Sequence, residues 1–324
     1  MKVCLLSQIE ADLVPVGEPM HEIRSWAYVL GGDARGFGSV ISKPDLLGGY
    51  DVILVELTAN AYTVPPFVRQ HAPDAILVGL VEGGLEQVPS NPPWEQLAFI
   101  ECIRTLDLLG VLVEDALPYY RLLAGEDRRV QWLGIPYPKG WTDTVPKPPA
   151  DAKVTVIELG STLQDGRNGL PSILLLGRIR KRHPHVRGRA YGSSLAELAP
   201  LHRLDPTLEL CVRRSWREYY RHHVDAYAML SFDPRRTWGR LVLDCASALV
   251  PYVGSDATHC GRRVGVLTCD PYDVEAAFRH VCRLLDDPGL YAAVVRRQYE
   301  RLEAYGEEAS RGRFWRALEL ADAL

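Results

Sequence analysis

The chain has 324 residues, 47% of them hydrophobic and 24% charged, with a formal net charge of −4. That length is about twice a usual domain and predicts two compact domains, while the composition excludes a disordered, collagen-like or small disulfide-stapled protein. No apolar run approaches the roughly 18 residues that a membrane-spanning helix needs.

The N-terminal stretch MKVCLLSQIEADL is too short in its apolar part for a secretory signal and reads as a buried strand. Nearly continuous apolar runs follow at 51–57, 75–81, 107–113 and 130–135, as expected of parallel strands covered on both faces. Helical patterns separate them near 59–71, 93–105 and 116–124, with Pro65–Pro66 expected to break or kink the first. Residues 136–150, PYPKGWTDTVPKPPA, hold five prolines and no periodicity, which is linker chemistry. Alternation then restarts. Strands are predicted at 153–159, 186–192, 207–212, 226–232, 249–254 and 264–269. Helices are predicted at 169–182, 215–223, 239–248, 272–286, 289–304 and 307–323.

The expectation is therefore α/β: two Rossmann-like, doubly wound domains facing across a cleft. They are expected at 1–137 and 153–305, with a linker at 138–152 and a last helix, 306–324, packing back on the first domain. Residues 1–150 carry 11 Lys+Arg against 19 Asp+Glu, a balance of −8, and residues 151–324 carry 26 against 22, a balance of +4. The basic half is the better host for an anionic ligand.

The most informative stretch runs from Ala226 to Asp256. A strand ends at Phe232, a polar loop follows, and Gly239 lets the backbone turn into a helix. Within it, R-T-W-G-R-L-V-L-D-C-A-S-A-L-V-P-Y-V, from Arg236 to Val253, resembles a pattern of the retaining GT-B-fold glycosyltransferases of the sucrose-synthase-like group. That pattern reads approximately E-G-F-G-L-V-x-L-E-A-M-A-x-G-x-P-V-V. The shared frame is Gly239, Leu241, Val242, Leu243, Ala246, Pro251 and Val253, with Trp238 in place of Phe.

The resemblance implies roles. The family's second glutamate, which holds the donor's ribose, falls on Asp244, and its first, near the donor sugar, falls on Arg236 with reversed charge. Thr237, Trp238 and Gly239 complete that donor loop. In KVTVIELGSTLQDGRNG the family's diphosphate clamp falls on Ser161 and on Arg167 or Asn168, where a helix N-terminus and its dipole also favour phosphate. Arg236 is expected to share that clamp. Gly192 follows the second strand where the family has a glycine near the nucleobase, and Gly17 stands near the position of a glycine close to the donor phosphates. Glu82 in VEGGLE is the preferred acceptor-side carboxylate, with Glu56 behind it. The loop GSDATHC at 254–260 falls where the family contacts donor, and 273–294 resembles the family's D-P-E-A-L-A-x-A-L-x-x-L-L-D-D-P segment, a structural match.

The seven cysteines are scattered and contain no CxxC pair, so reduced thiols and a cytoplasmic setting are expected, with neither disulfide framework nor zinc site. His222–His223 lacks metal spacing, because adjacent helical residues point apart. RIRKRHPHVRGR at 178–189 has six Lys/Arg in twelve residues but no interleaved aromatic. It reads as a solvated face or a peripheral membrane contact rather than a nucleic-acid site. The resulting expectation is a cytoplasmic, metal-independent glycosyltransferase. It would use a nucleoside-diphosphate-sugar as substrate, a carbohydrate or other small-molecule acceptor, and no cofactor. Rival readings are a non-catalytic GT-B-like nucleotide-sugar-binding or partner protein and, more distantly, a nucleotide-sugar epimerase.

Overall fold

The structure is a computed structural model that describes residues 1–8, 13, 22–81, 87–160, 163, 167–212 and 215–323, the side chains of residues 87 and 150 excepted. It divides into two compact units. The first comprises Met1–Pro138 with Ala304–Leu324, the second Lys139–Glu303.

In the first unit β1 (Val3–Ser7), α1 (Ser25–Leu30), β2 (Asp33–Gly36), α2 (Phe37–Ser42) and β3 (Val52–Leu57) come first. Then follow α3 (Val64–His71), β4 (Ile76–Val81), α4 (Gln87–Ser90), α5 (Pro93–Arg104), β5 (Leu108–Val111), α6 (Leu117–Ala124) and β6 (Val130–Trp132). The sheet order is β2-β1-β3-β4-β5-β6, parallel throughout. β1, β3 and β5 are buried at every residue, which is why their sequence reads as nearly continuous apolar runs. Pro65 and Pro66 do not break the helix predicted over them. They open α3, where a missing N–H and a fixed φ suit the first turn.

The second unit starts with α7 (Lys139–Asp143), inside the stretch read as linker. Thr142 is fully buried there and accepts from the Ser247 hydroxyl at 2.6 Å, and Trp141 packs on Trp216 and Tyr220. Next come β7 (Val156–Leu159), α8 (Leu170–Arg182), β8 (Arg187–Gly192), α9 (Leu195–Leu204), β9 (Glu209–Val212), α10 (Trp216–His223) and β10 (Ala228–Ser231). The unit closes with α11 (Arg240–Ser247), β11 (Tyr252–Ser255), α12 (His259–Arg263), β12 (Leu267–Cys269), α13 (Val274–Asp286) and α14 (Pro288–Leu302). Its parallel order, β12-β11-β10-β7-β8-β9, is that of dinucleotide-binding sheets, with the strand order reversing between β7 and β10.

The two faces of this second sheet differ. Ile157, Leu159, Ala190, Leu230 and Val253 pack with Ile173, Leu176 and Val281 into an apolar core. On the other face Glu158, Arg189 and Glu209 lie side by side across three strands. The Glu158 carboxylate is fully buried, 2.5 Å from His223 Nδ1 and 3.2 Å from an Arg189 nitrogen. Burial pushes its pKa up, yet the His223 ring and Arg189 guanidinium outweigh that and hold it below the usual range.

The last helix, α15 (Glu307–Leu320), belongs to the first unit. Phe314 and Leu318 enter the core of that unit, the Phe314 ring 5.5 Å from Trp26. Among the described residues no helix is long and apolar enough to cross a membrane.

Candidate functional site

Where a doubly wound sheet reverses order, the loops leaving the two central strands go to opposite faces and open a crevice at their carboxyl ends. In the second unit those are the loops after β7 and β10. From the first, Arg167 and Asn168 are half-buried at the entry to α8. Asn168 takes the left-handed backbone, φ 53°, which its short amide side chain tolerates, and its Nδ2 donates to the Phe232 carbonyl at 3.4 Å. That bond ties the β7 loop to the end of β10.

The β10 loop is held at both ends. Asp233 accepts from Arg235 Nε at 2.8 Å, from an Arg235 terminal nitrogen at 2.6 Å and from the Arg235 backbone N–H at 3.1 Å. At the far end His259 and Cys260 donate their backbone N–H groups to the carbonyls of Thr237 and Trp238, each at 2.9 Å. The Trp238 ring stacks on His259, 5.0 Å between centroids and 7° from parallel. Gly239 sits at φ 78°, and a Cβ there would come 2.4 Å from Thr258 Oγ1, so both the backbone and the space require glycine. Arg236, between these anchors, is exposed.

Asp244 lies in the interior beside that loop. It is fully buried on the second turn of α11, Oδ1 accepts from Trp216 Nε1 at 3.1 Å, and Oδ2 lies 3.6 Å from Arg240 Nε. In this arrangement the carboxylate is engaged by Trp216 and Arg240. Gly192 ends β8 against Leu198, whose Cγ a Cβ would approach to 2.8 Å. Beside it, Ser193 donates from its N–H and its hydroxyl to Glu197, at 2.6 and 2.7 Å.

Arg236, Thr237, Trp238 and Gly239 thus share one loop, Asn168 is bonded to its base, and Gly192 sits one strand beyond β7 on the same edge. Gly17, Glu82 and Ser161 lie outside the described residues. Glu56 is buried and accepts from the Gln8 N–H at 3.0 Å. Sequence reasoning missed the Asp233–Arg235 clamp, although Asp at a strand end before Pro is a turn signal. It also missed the Trp216–Asp244 bond, for which no local signal exists. The basic run at 178–189 is largely consumed by pairing: Arg178 with Glu275, Arg180 with Asp205, Arg182 with Asp286, and Arg189 with Glu158 and Glu209.

No protein-family model matches the chain, and no curated protein does. Solved structures do. HepE of Anabaena, crystallised with UDP-glucose, covers 100% of this chain with 100% of its own at a TM-score of 0.73 and 12% identity. A sucrose-phosphate synthase of Thermosynechococcus elongatus covers 99% with 99% of its own, at 0.69 and 14%. TarM of S. aureus covers 82% at 0.63 and 13%, and this chain spans about half of it, 54%. The two parallel, doubly wound sheets and their strand orders are those of the GT-B fold.

Proposed function

We propose that the chain is a glycosyltransferase that moves a sugar from a nucleoside-diphosphate-sugar to a carbohydrate or other small-molecule acceptor. The observation that carries this reading is the strand-order reversal between β7 and β10, with the loop Arg235–Gly239 standing at that point. The crystallisation of HepE with UDP-glucose on the same fold supports it. In this reading Arg236, exposed at mid-loop, faces the donor diphosphate together with Arg167 and the N-terminus of α8. Ser161 and Gly17 belong to the same donor site, and Glu82 to the acceptor side. The basic groups neutralise the leaving diphosphate without a metal ion, the anomeric configuration is retained, and reduced cysteines suit a cytoplasmic setting.

A second reading, a nucleotide-sugar binder without transferase activity, is favoured by two observations. Arg236 carries the charge opposite to the family's glutamate, and the Asp244 carboxylate is already engaged by Trp216 and Arg240.

Thermal stabilisation by UDP, GDP, ADP, CDP and dTDP tests both. A diphosphate at 100-fold its Kd adds about 2.7 kcal/mol of stability, which a melt resolves. One responding diphosphate, with the shift at least halved in Arg236→Ala, supports the donor site. Transfer or slow hydrolysis of the matching sugar nucleotide then identifies the enzyme, and binding without turnover identifies the binder. No shift with any of the five defeats both readings.

A further inference from the structure

His222 and His223 follow one another at the end of α10, and their side chains part. His223 turns inward to Glu158, while His222 reaches the edge strand β9. There Glu209 and Cys211, two residues apart and therefore on one face of the strand, meet it. One donor atom from each of Glu209, Cys211 and His222 lies within 4.8 Å of the others. Cys211 Sγ is 3.7 Å from Glu209 Oε1, and His222 Nε2 is 3.8 Å from the same oxygen. Ligands around a tetrahedral zinc, with metal–ligand bonds of about 2.0–2.3 Å, sit about 3.5 Å apart. The two distances from Glu209 Oε1 are within a few tenths of an ångström of that spacing, and the sulfur and the imidazole nitrogen lie within 4.8 Å of each other.

The groups behind them are arranged as a metal site requires. Tyr191 donates its only hydroxyl proton to Glu158 at 3.1 Å. Its oxygen, 2.9 Å from His222 Nδ1, therefore acts as the acceptor there, so Nδ1 carries the hydrogen and the Nε2 lone pair faces Glu209 and Cys211. Arg189 Nε, 3.1 Å from Glu209 Oε2, turns the other carboxylate oxygen toward the cluster. A thiolate beside an imidazole and a carboxylate selects zinc over magnesium or calcium.

We propose that Glu209, Cys211 and His222 bind one zinc ion, with a fourth position open to water, and that the ion fastens edge strand β9 to the end of α10. On binding, the Cys211 thiol releases its proton to solvent as the sulfur–zinc bond forms. The glutamate and histidine side chains are 42% and 41% exposed, so the ion has a path in from water.

The test uses the full chain with Co2+ and Zn2+ alone, without nucleotide, so its outcome is separate from that of the glycosyl-transfer reading. The expected result is one Co2+ per chain with a thiolate-to-cobalt charge-transfer band, displaced by one Zn2+. Cys211→Ser should abolish the band, Cys269→Ser should keep it, and Glu209→Gln or His222→Ala should weaken binding by about tenfold or more. Persistence of the band in Cys211→Ser, or no Co2+ uptake by the wild type, overturns the proposal. Should the variants misfold, the wild type alone decides. Zn2+, unlike Mg2+, should protect Cys211 but not Cys269 from iodoacetamide, mapped by mass spectrometry. Unchanged Cys211 alkylation overturns the proposal equally.

Discussion

Lys153 stands just before β7, 7% exposed, with its ammonium donating to the carbonyls of Ala248 and Leu249 at 3.3 and 2.8 Å. Burial pulls its pKa down to about 8. The unfolded lysine keeps its proton to about pH 10.4, so between the two values the unfolded chain binds more protons and stability from this group rises with pH. The buried thiols act in the opposite sense: burial pushes Cys4 and Cys102 up to about 12, so stability from them falls between about pH 8.5, where an unfolded thiol ionises, and that value. Comparison with Lys153→Met isolates the lysine. Urea denaturation should show wild type gaining about 3 kcal/mol on the variant between about pH 7 and about pH 10.5. Parallel pH curves would refute the lowered pKa. At this scale the sequence is legible where chemistry is contiguous: Arg236, Thr237, Trp238 and Gly239 are neighbours in the chain and in space. It is not legible where a partner arrives from elsewhere. Trp216 reaches Asp244 across 28 residues, and only the packing of α10 on α11 brings them together.

Among elements, the eleven strands predicted from apolar runs correspond to β1 and β3–β12, and the missing one is β2. Its residues, Asp33–Gly36, are half polar because it lies at the sheet edge, where only part of a strand is covered. Asp33 and Arg35 interrupt the apolar run there, whereas the other edge strands, β6, β9 and β12, keep enough apolar residues to be read from the sequence. Helix ends divide the units in another way. Ser194, Ser215, Thr258, Asp273 and Asp287 each cap a helix through the side chain, and all lie in the second unit. Asp273 Oδ1 accepts from the Ala276 N–H at 2.8 Å at the start of α13. The same helix meets α8 through Arg178–Glu275 and Arg182–Asp286, exposed pairs that add little. Asp273→Ala should therefore cost about 1 kcal/mol in equilibrium unfolding through the cap itself, and a loss below a few tenths would show that the cap is dispensable.

For the whole molecule, the units differ in how the chain builds them. The second is one continuous segment, while the first is completed only by residues from the C-terminal end. Beyond the Trp26–Phe314 contact, the Tyr137 N–H donates to the Tyr305 carbonyl at 2.7 Å and Arg313 Nε to the Leu133 carbonyl at 2.8 Å. Burying Phe314 and Leu318 is worth about 1.5–3 kcal/mol for each side chain, a large share of a domain's net stability. Residues 139–303 expressed alone should give dispersed amide resonances and a cooperative melt, and residues 1–138 alone should give neither. A cooperative melt of the 1–138 fragment would show that α15 is an accessory rather than a part of the core.

The late arrival of α15 has a consequence for biosynthesis. Most multidomain chains fold from the first-made domain onward as they leave the ribosome. Here the domain translated first must wait, its Trp26 face uncovered, through the synthesis of the entire second domain. The second domain, made later, is the first able to finish. During that interval the exposed apolar face of α1 and β1 is the surface a nascent-chain chaperone would meet.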